Sequence, residues 1–94
     1  MKTRAHVFIT GRVQGVFFRL GTKHNANRYD VKGWVRNLPD MRVEAVFEGE
    51  KDAVQTLIDF CKHGPSGAEV TSIDATWETY TGEFASFKIK YGHG

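Results

Sequence analysis

The stretch GRVQGVFFR, residues 11–19, holds two glycines, a short apolar run and a terminal arginine, with no serine, cysteine, histidine or carboxylate inside it. Those residue types supply neither a covalent nucleophile nor a side-chain general base, and they leave one kind of chemistry, the holding of an anion. A turn with glycines at positions 11 and 15 can curl so that consecutive backbone N–H groups face one concavity, and the donors at a helix start have no partners within the helix. Such a place binds anions. Arg19 falls in the first helical turn, where side chains lean toward the N-terminus. Its guanidinium can therefore reach over the concavity and grip a phosphate or carboxylate through two parallel hydrogen bonds. Phosphate suits the place better, because its oxygens can occupy the N–H ring and the fork together. Asn37, further along, offers both a donor and an acceptor with which to hold a water molecule. Each feature also has a plain structural reading: G-x-x-x-G turns let helices pack close, a lone arginine is often a solvated charge, and an asparagine ahead of LPD forms turns. On spacing alone the two readings stand side by side.

The elements that must position these residues follow from periodicity. From Ala5 to Gly11 the chain alternates, with Ala5, Val7 and Ile9 opposite His6, Phe8 and Thr10, as a half-buried strand does. After the glycine-rich turn, Arg19 to Tyr29 reads as a helix whose buried stripe is Leu20, Ala26 and Tyr29; Gly21 weakens it by ~1 kcal/mol relative to alanine. Val31 to Leu38 resumes strand character. The segment RVEAVFEG sets Val43, Ala45 and Phe47 against Glu44, Val46 and Glu48, and Pro39-Asp40 marks a tight hairpin before it. A second helix begins near Glu50, places Val54, Leu57, Ile58 and Cys61 at i, i+3, i+4 and i+7, and stops at Gly64-Pro65. Two extended segments close the chain: EVTSIDATWETY with Ile73, Ala75 and Trp77 alternating, and SFKIKY with Phe87, Ile89 and Tyr91, with TGE at 81–83 turning between them.

This order predicts an α+β fold, a ferredoxin-like two-layer sandwich of βαββαβ type with a short extra C-terminal strand, its antiparallel sheet covered by two helices on one face. In such a split unit the first and second strands run in the same direction with the third between them. Their C-terminal ends then share one rim, about 10 Å apart at ~4.8 Å per strand step. At that rim lie the QGVFFR turn and Asn37.

Size and composition set the outer bounds. Ninety-four residues with two tryptophans, three tyrosines and seven phenylalanines suffice for one core, so residues 1–94 are expected to form a single domain. Thirteen basic and 11 acidic residues are mixed along the chain, which excludes a polybasic tail for nucleic acid or membrane. One cysteine, Cys61, forms no internal disulfide and points to a reducing compartment. The start MKTRAHVFIT lacks the apolar core of a signal peptide, and no stretch approaches the ~20 apolar residues of a membrane helix. A cytoplasmic protein is expected.

GRVQGVFFR, followed after a short helix by KGWVRNLPD, resembles the two signature blocks of the acylphosphatase family. GPSGAEV resembles that family's loop after the second helix, and TGEFASFKIKY its C-terminal segment, so that the likeness spans essentially the whole chain in order and spacing. The resemblance implies hydrolysis of carboxylic–phosphoric mixed anhydrides to a carboxylate and inorganic phosphate. It implies that backbone amides of Gly15, Val16, Phe17, Phe18 and Arg19 cradle the phosphate, that Arg19 neutralises it, and that Asn37 orients the attacking water. It also explains why so few tools suffice. A carboxylate departs without a proton, so neither a general acid nor a metal or other cofactor is called for, and the substrate's own phosphate oxygens take the water's proton. A small-molecule acyl phosphate is then the partner, with no nucleic acid or membrane, and the protein is expected to be a monomer.

Relatives often carry glycine where this chain has Asp30 and Met41, which puts left-handed backbone on both side chains at a cost of order 1 kcal/mol each. Gly21 threatens the rigidity of the helix that aims Arg19. His6, His24, His63 and His93 show no metal-ligand spacing and are expected to be solvated or packed. Cys61, on an apolar stripe, reads as an inert core thiol, and Trp34 and Trp77 as packing residues. Arg12 and Arg36 flank the site in sequence, but alternation turns them away as surface charges. Two other functions compete. An RRM-like binder of single strands shares this element order and has Phe8 on the open face, but the strand RVEAVFEGE carries three glutamates and no RNP pattern. A non-catalytic anion-sensing module would keep the cradle but has no need of Asn37.

Overall fold

The computed structural model describes residues 1–91, and seven elements run along them. They are β1 (Lys2–Arg12), α1 (Phe18–Arg28), β2 (Lys32–Asn37), β3 (Val43–Glu50), α2 (Lys51–Cys61), β4 (Glu69–Glu78) and β5 (Phe87–Lys90). The sheet order is β4-β1-β3-β2-β5. β3 lies between β1 and β2 and pairs antiparallel with both, Val7 opposite Ala45 and Val35 opposite Ala45. The expected split unit is therefore present, with β4 antiparallel on the outer side of β1. The added strand β5 joins β2 in parallel, which makes the five-stranded sheet mixed rather than antiparallel throughout.

One core lies between the sheet and the helices. Ala5, Val7 and Ile9 from β1, Val35 from β2, and Val43, Ala45 and Phe47 from β3 meet Val54, Leu57, Ile58 and Cys61 of α2. The period-2 pattern of the strands and the i, i+3, i+4, i+7 spacing of α2 place these side chains where the sequence predicts them. Deep burial pushes the Cys61 thiol up to about 12, which keeps it protonated and unreactive.

Helix α1 departs from expectation. It starts at Phe18, and its buried residues are Phe18, Thr22 and Ala26; Leu20 and Tyr29 are exposed. A stripe at i, i+4, i+8 needs only one large apolar residue here, because Thr22 satisfies its own hydroxyl on Phe18 O at 2.8 Å. Gly21 has a packing reason that propensity does not reveal. A Cβ there would stand 3.1 Å from the tip of the Phe60 ring, so glycine lets α2 approach α1. Asp30 and Met41 do take left-handed backbone, at φ 57° and 78°.

The edge strand β5 keeps the alternation read in sequence, with Phe87 buried and Ile89 packed against the core, whereas β4 departs from it beyond Ile73. Trp77 lies on the exposed edge strand β4 and is 42% accessible, so it is not a packing residue of the core. The chain from β4 to β5 must cross from one sheet edge to the other, and residues 79–86 do so over the open face. Glu48 holds that strap. Its buried carboxylate accepts from Thr81 N at 2.8 Å, Thr81 Oγ1 at 2.8 Å and Gly82 N at 3.1 Å.

Candidate active site

β1 ends at Arg12, and the chain from Val13 to Phe17 swings across the rim into α1. Gly15 has φ 74° and Phe17 has φ 62°, so two residues of this short turn occupy left-handed backbone. For a phenylalanine that conformation is strained, a cost found where geometry serves function. Phe17 is also the N-cap of α1, and it supplies no side-chain acceptor to the first turn. Ser, Thr, Asp or Asn at that position would occupy the free amides; Phe17 leaves them available. The first N–H with a backbone acceptor is that of Gly21, which donates to Phe17 O at 3.0 Å. Residues 15–20 thus present their N–H groups without backbone partners among the described residues.

A cavity of about 300 Å³ beside this turn is lined by Gly15, Phe17, Phe18, Arg19, Leu20 and Asn37, with Val13, Ile89 and Tyr91 at its walls. The structure therefore brings together the residues that the sequence singles out: the turn, Arg19 and Asn37. Val16 packs against the core beside the turn rather than lining the cavity. Arg19 has no carboxylate within 4 Å among the described residues, and its guanidinium carbon lies 5.2 Å from the centroid of the Tyr91 ring. An aromatic face orients a guanidinium without neutralising it. Asn37 Oδ1 is buried and has no hydrogen-bond partner among the described residues. A buried unpaired acceptor is costly, and this one belongs to a residue that lines the cavity.

Sequence reasoning missed Gln14. Its Nε2 donates to Leu38 O at 2.9 Å and to Arg42 O at 3.0 Å, clasping the turn to the β2–β3 hairpin directly after Asn37. The hairpin closes through Leu38 N on Arg42 O at 2.8 Å. A glutamine next to Gly15 was the available signal, but its partners lie 24 and 28 residues away in sequence.

Arg36 is not the solvated charge its alternation suggested. It is half-buried on the open face and donates from Nε to Glu44 Oε1 at 2.6 Å, while His6 Nε2 meets Glu44 Oε2 at 2.6 Å. Burial works against ionisation of Glu44, yet the bonds from His6 and Arg36 hold its carboxyl below the ordinary value. The centre of the open face is therefore a paired carboxylate network around Glu44 and Glu48. Phe8, half-buried, lies under the Arg42 guanidinium, 4.8 Å away. Arg12 is exposed. His93 lies outside the described residues. Among the described residues, no group of three or more His, Cys, Asp or Glu could hold a metal ion, and no helix is long and apolar enough to cross a membrane.

A family profile described as Acylphosphatase matches residues 5–89. The chain is 57% identical over 91 residues to an acylphosphatase of Syntrophus aciditrophicus, a span covering 97% of this chain and 95% of that one. It is likewise 57% identical over 86 residues to an acylphosphatase of a Roseiflexus species, covering 92% of each. Among solved structures, the crystal structure of acylphosphatase from Bacillus subtilis superposes with a TM-score of 0.90 at 34% identity, covering 97% of this chain and 100% of that one.

Proposed function

The chain belongs to the acylphosphatase family and hydrolyses acyl phosphates to a carboxylate and inorganic phosphate, and we propose that it does so through a backbone cradle, the Arg19 guanidinium and a water oriented by Asn37. The carrying observation is that one cavity is lined by the turn whose amides lack backbone partners, by an arginine with no carboxylate within 4 Å and by Asn37, whose Oδ1 has no hydrogen-bond partner, all among the described residues.

In this reading the N–H groups of Gly15, Val16, Phe17, Phe18 and Arg19 ring the phosphoryl oxygens, and the helix N-terminus adds its partial positive charge. Arg19 grips two of those oxygens in a fork, drawing charge from phosphorus as the bond to the leaving group lengthens. Asn37 Oδ1 accepts a hydrogen bond from a water and turns its lone pair toward phosphorus. The water oxygen forms the new P–O bond, the P–O bond to the acyl group breaks, and the carboxylate leaves with the electron pair. A phosphate oxygen takes the water's proton. Because the leaving carboxylate needs no proton, positioning and charge stabilisation suffice without a side-chain acid or a metal. Cys61, kept as a buried neutral thiol, suits a reducing compartment, and we infer a cytoplasmic monomer acting on small molecules without nucleic acid or membrane.

The test is phosphate release from acetyl or benzoyl phosphate in the presence of EDTA, beside Arg19→Gln and Asn37→Ala. Release should be insensitive to chelator and abolished in both variants, while Asn37→Ala still binds inorganic phosphate. Activity surviving in both variants overturns the assignment of roles.

A further inference from the structure

A second concavity, of about 620 Å³, runs along the exposed side of α1 and shares Phe17 and Leu20 with the phosphate cavity. Beyond that shared ridge its lining includes Gly21, Lys23, His24 and Pro65, and it does not include Asn37. Phe17 and Leu20 are 78% and 58% accessible, so the ridge between the two spaces is an exposed apolar step beside a polar cradle.

Two arguments converge on this groove. In-line displacement at phosphorus places the attacking and leaving oxygens on opposite sides. With the water at Asn37, the acyl group must leave the cradle on the side away from that residue, and the groove lies beyond Phe17 and Leu20 without reaching it. The second argument is charge. α1 contains Arg19, Lys23, His24 and Arg28 and no carboxylate. Among the described residues neither Arg19 nor Lys23 has an acidic partner within 4 Å, as is also true of Arg12, Arg28 and Lys51; of these it is Arg19 and Lys23 that line the two spaces. Lys23 stands one helical turn, ~5.4 Å, beyond Arg19 along the same face. The acid-free helix thus carries a second uncompensated cation past the apolar step.

Resting on the functional reading above, we propose that this groove is the acyl subsite, and that it favours acyl phosphates whose acyl group is apolar next to the carbonyl and carries a second anionic group at its far end, received by Lys23. The phosphate end is anchored in the cradle, the apolar body lies across Phe17 and Leu20, and the distal anion meets the ammonium. Selection acts on binding, since the distal contact is the same in the ground state and in the transition state.

The experiment compares 4-carboxybenzoyl phosphate with 4-methylbenzoyl phosphate on the unaltered chain, on Lys23→Gln and on Lys23→Arg, with benzoyl phosphate as the common reference. The quantity read is the ratio of kcat/KM for the two substituted substrates, so that intrinsic reactivity cancels between proteins. The unaltered chain should favour the carboxylated substrate through KM. Lys23→Gln should lower the ratio ~2–5-fold at low ionic strength, the range of an exposed ion pair, and Lys23→Arg should restore it. A ratio unmoved by Lys23→Gln, or no preference in the unaltered chain, overturns the inference while benzoyl phosphate hydrolysis leaves the proposed roles standing. Failure to hydrolyse benzoyl phosphate sinks the functional reading and this inference with it.

Discussion

The guanidinium carbon of Arg19 stands 5.2 Å from the centroid of the Tyr91 ring at the cavity edge, with no carboxylate within 4 Å among the described residues. Tyr91 is 77% exposed, so the contact is worth ~0.5–1 kcal/mol. Tyr91→Ala should leave the fold intact and raise the inhibition constant for inorganic phosphate ~2–5-fold, because the freed side chain then loses rotamer entropy on gripping the anion. Competitive inhibition by phosphate measures this directly. An unchanged constant would mean the ring does not preorganise the arginine.

Gln14 is a positioning residue in the same sense. Its two bonds to Leu38 O and Arg42 O register the cradle against the strand end that carries Asn37. Gln14→Ala removes both and should cost about 1–2 kcal/mol of stability by urea unfolding. Its signature is a split in the kinetics. Phosphate inhibition should hold, since the cradle amides remain, while kcat falls about tenfold as Asn37 drifts from the line of attack. A merely structural role would move stability and leave kcat alone.

Gly21 meets two opposing effects of similar size. Alanine would favour the helix by ~1 kcal/mol, yet its Cβ would press on the Phe60 ring at 3.1 Å. Gly21→Ala alone should therefore shift the melting temperature little. With Phe60→Leu the ring is gone, and the same change should become stabilising by ~1 kcal/mol relative to the Phe60→Leu background. The double-mutant cycle reads the coupling; additive values would show that helix packing does not require glycine.

Acid should unpick the strap over the open face through Glu48. Burial opposes ionisation of this carboxyl, but the Thr81 and Gly82 amides, the Thr81 hydroxyl and the Arg4 guanidinium together hold it below its ordinary 4.5. A carboxylate lowered on folding contributes its full stability above the unfolded value, and that contribution is lost as pH falls through the lower, folded one. Urea unfolding from neutral pH downward should show stability falling below pH 4.5. Glu48→Gln should flatten that limb while lowering stability at neutral pH. An unaltered acid limb would assign the strap's closure to other bonds.

The sequence by itself determined the strands of β1, β2 and β3, the buried face of α2, the turn of Gly11 to Arg19 and the candidacy of Arg19 and Asn37. These depend on periods of 2 and 3.6 and on residue types that act within a few positions, which a linear reading can see. It went astray on α1, where Leu20 and Tyr29 are the bulkier apolar side chains but Phe18, Thr22 and Ala26 face the core. Tertiary structure alone decided the Gln14 clasp, the left-handed Phe17, the pairing of Arg36 with Glu44, the parallel docking of β5 and the strap on Glu48. The Gln14 clasp, the docking of β5 and the strap on Glu48 join groups far apart in the chain, while Arg36 meets Glu44 only once the register of the β2–β3 hairpin is set. Strand register and helix docking set those distances, and no local pattern encodes them.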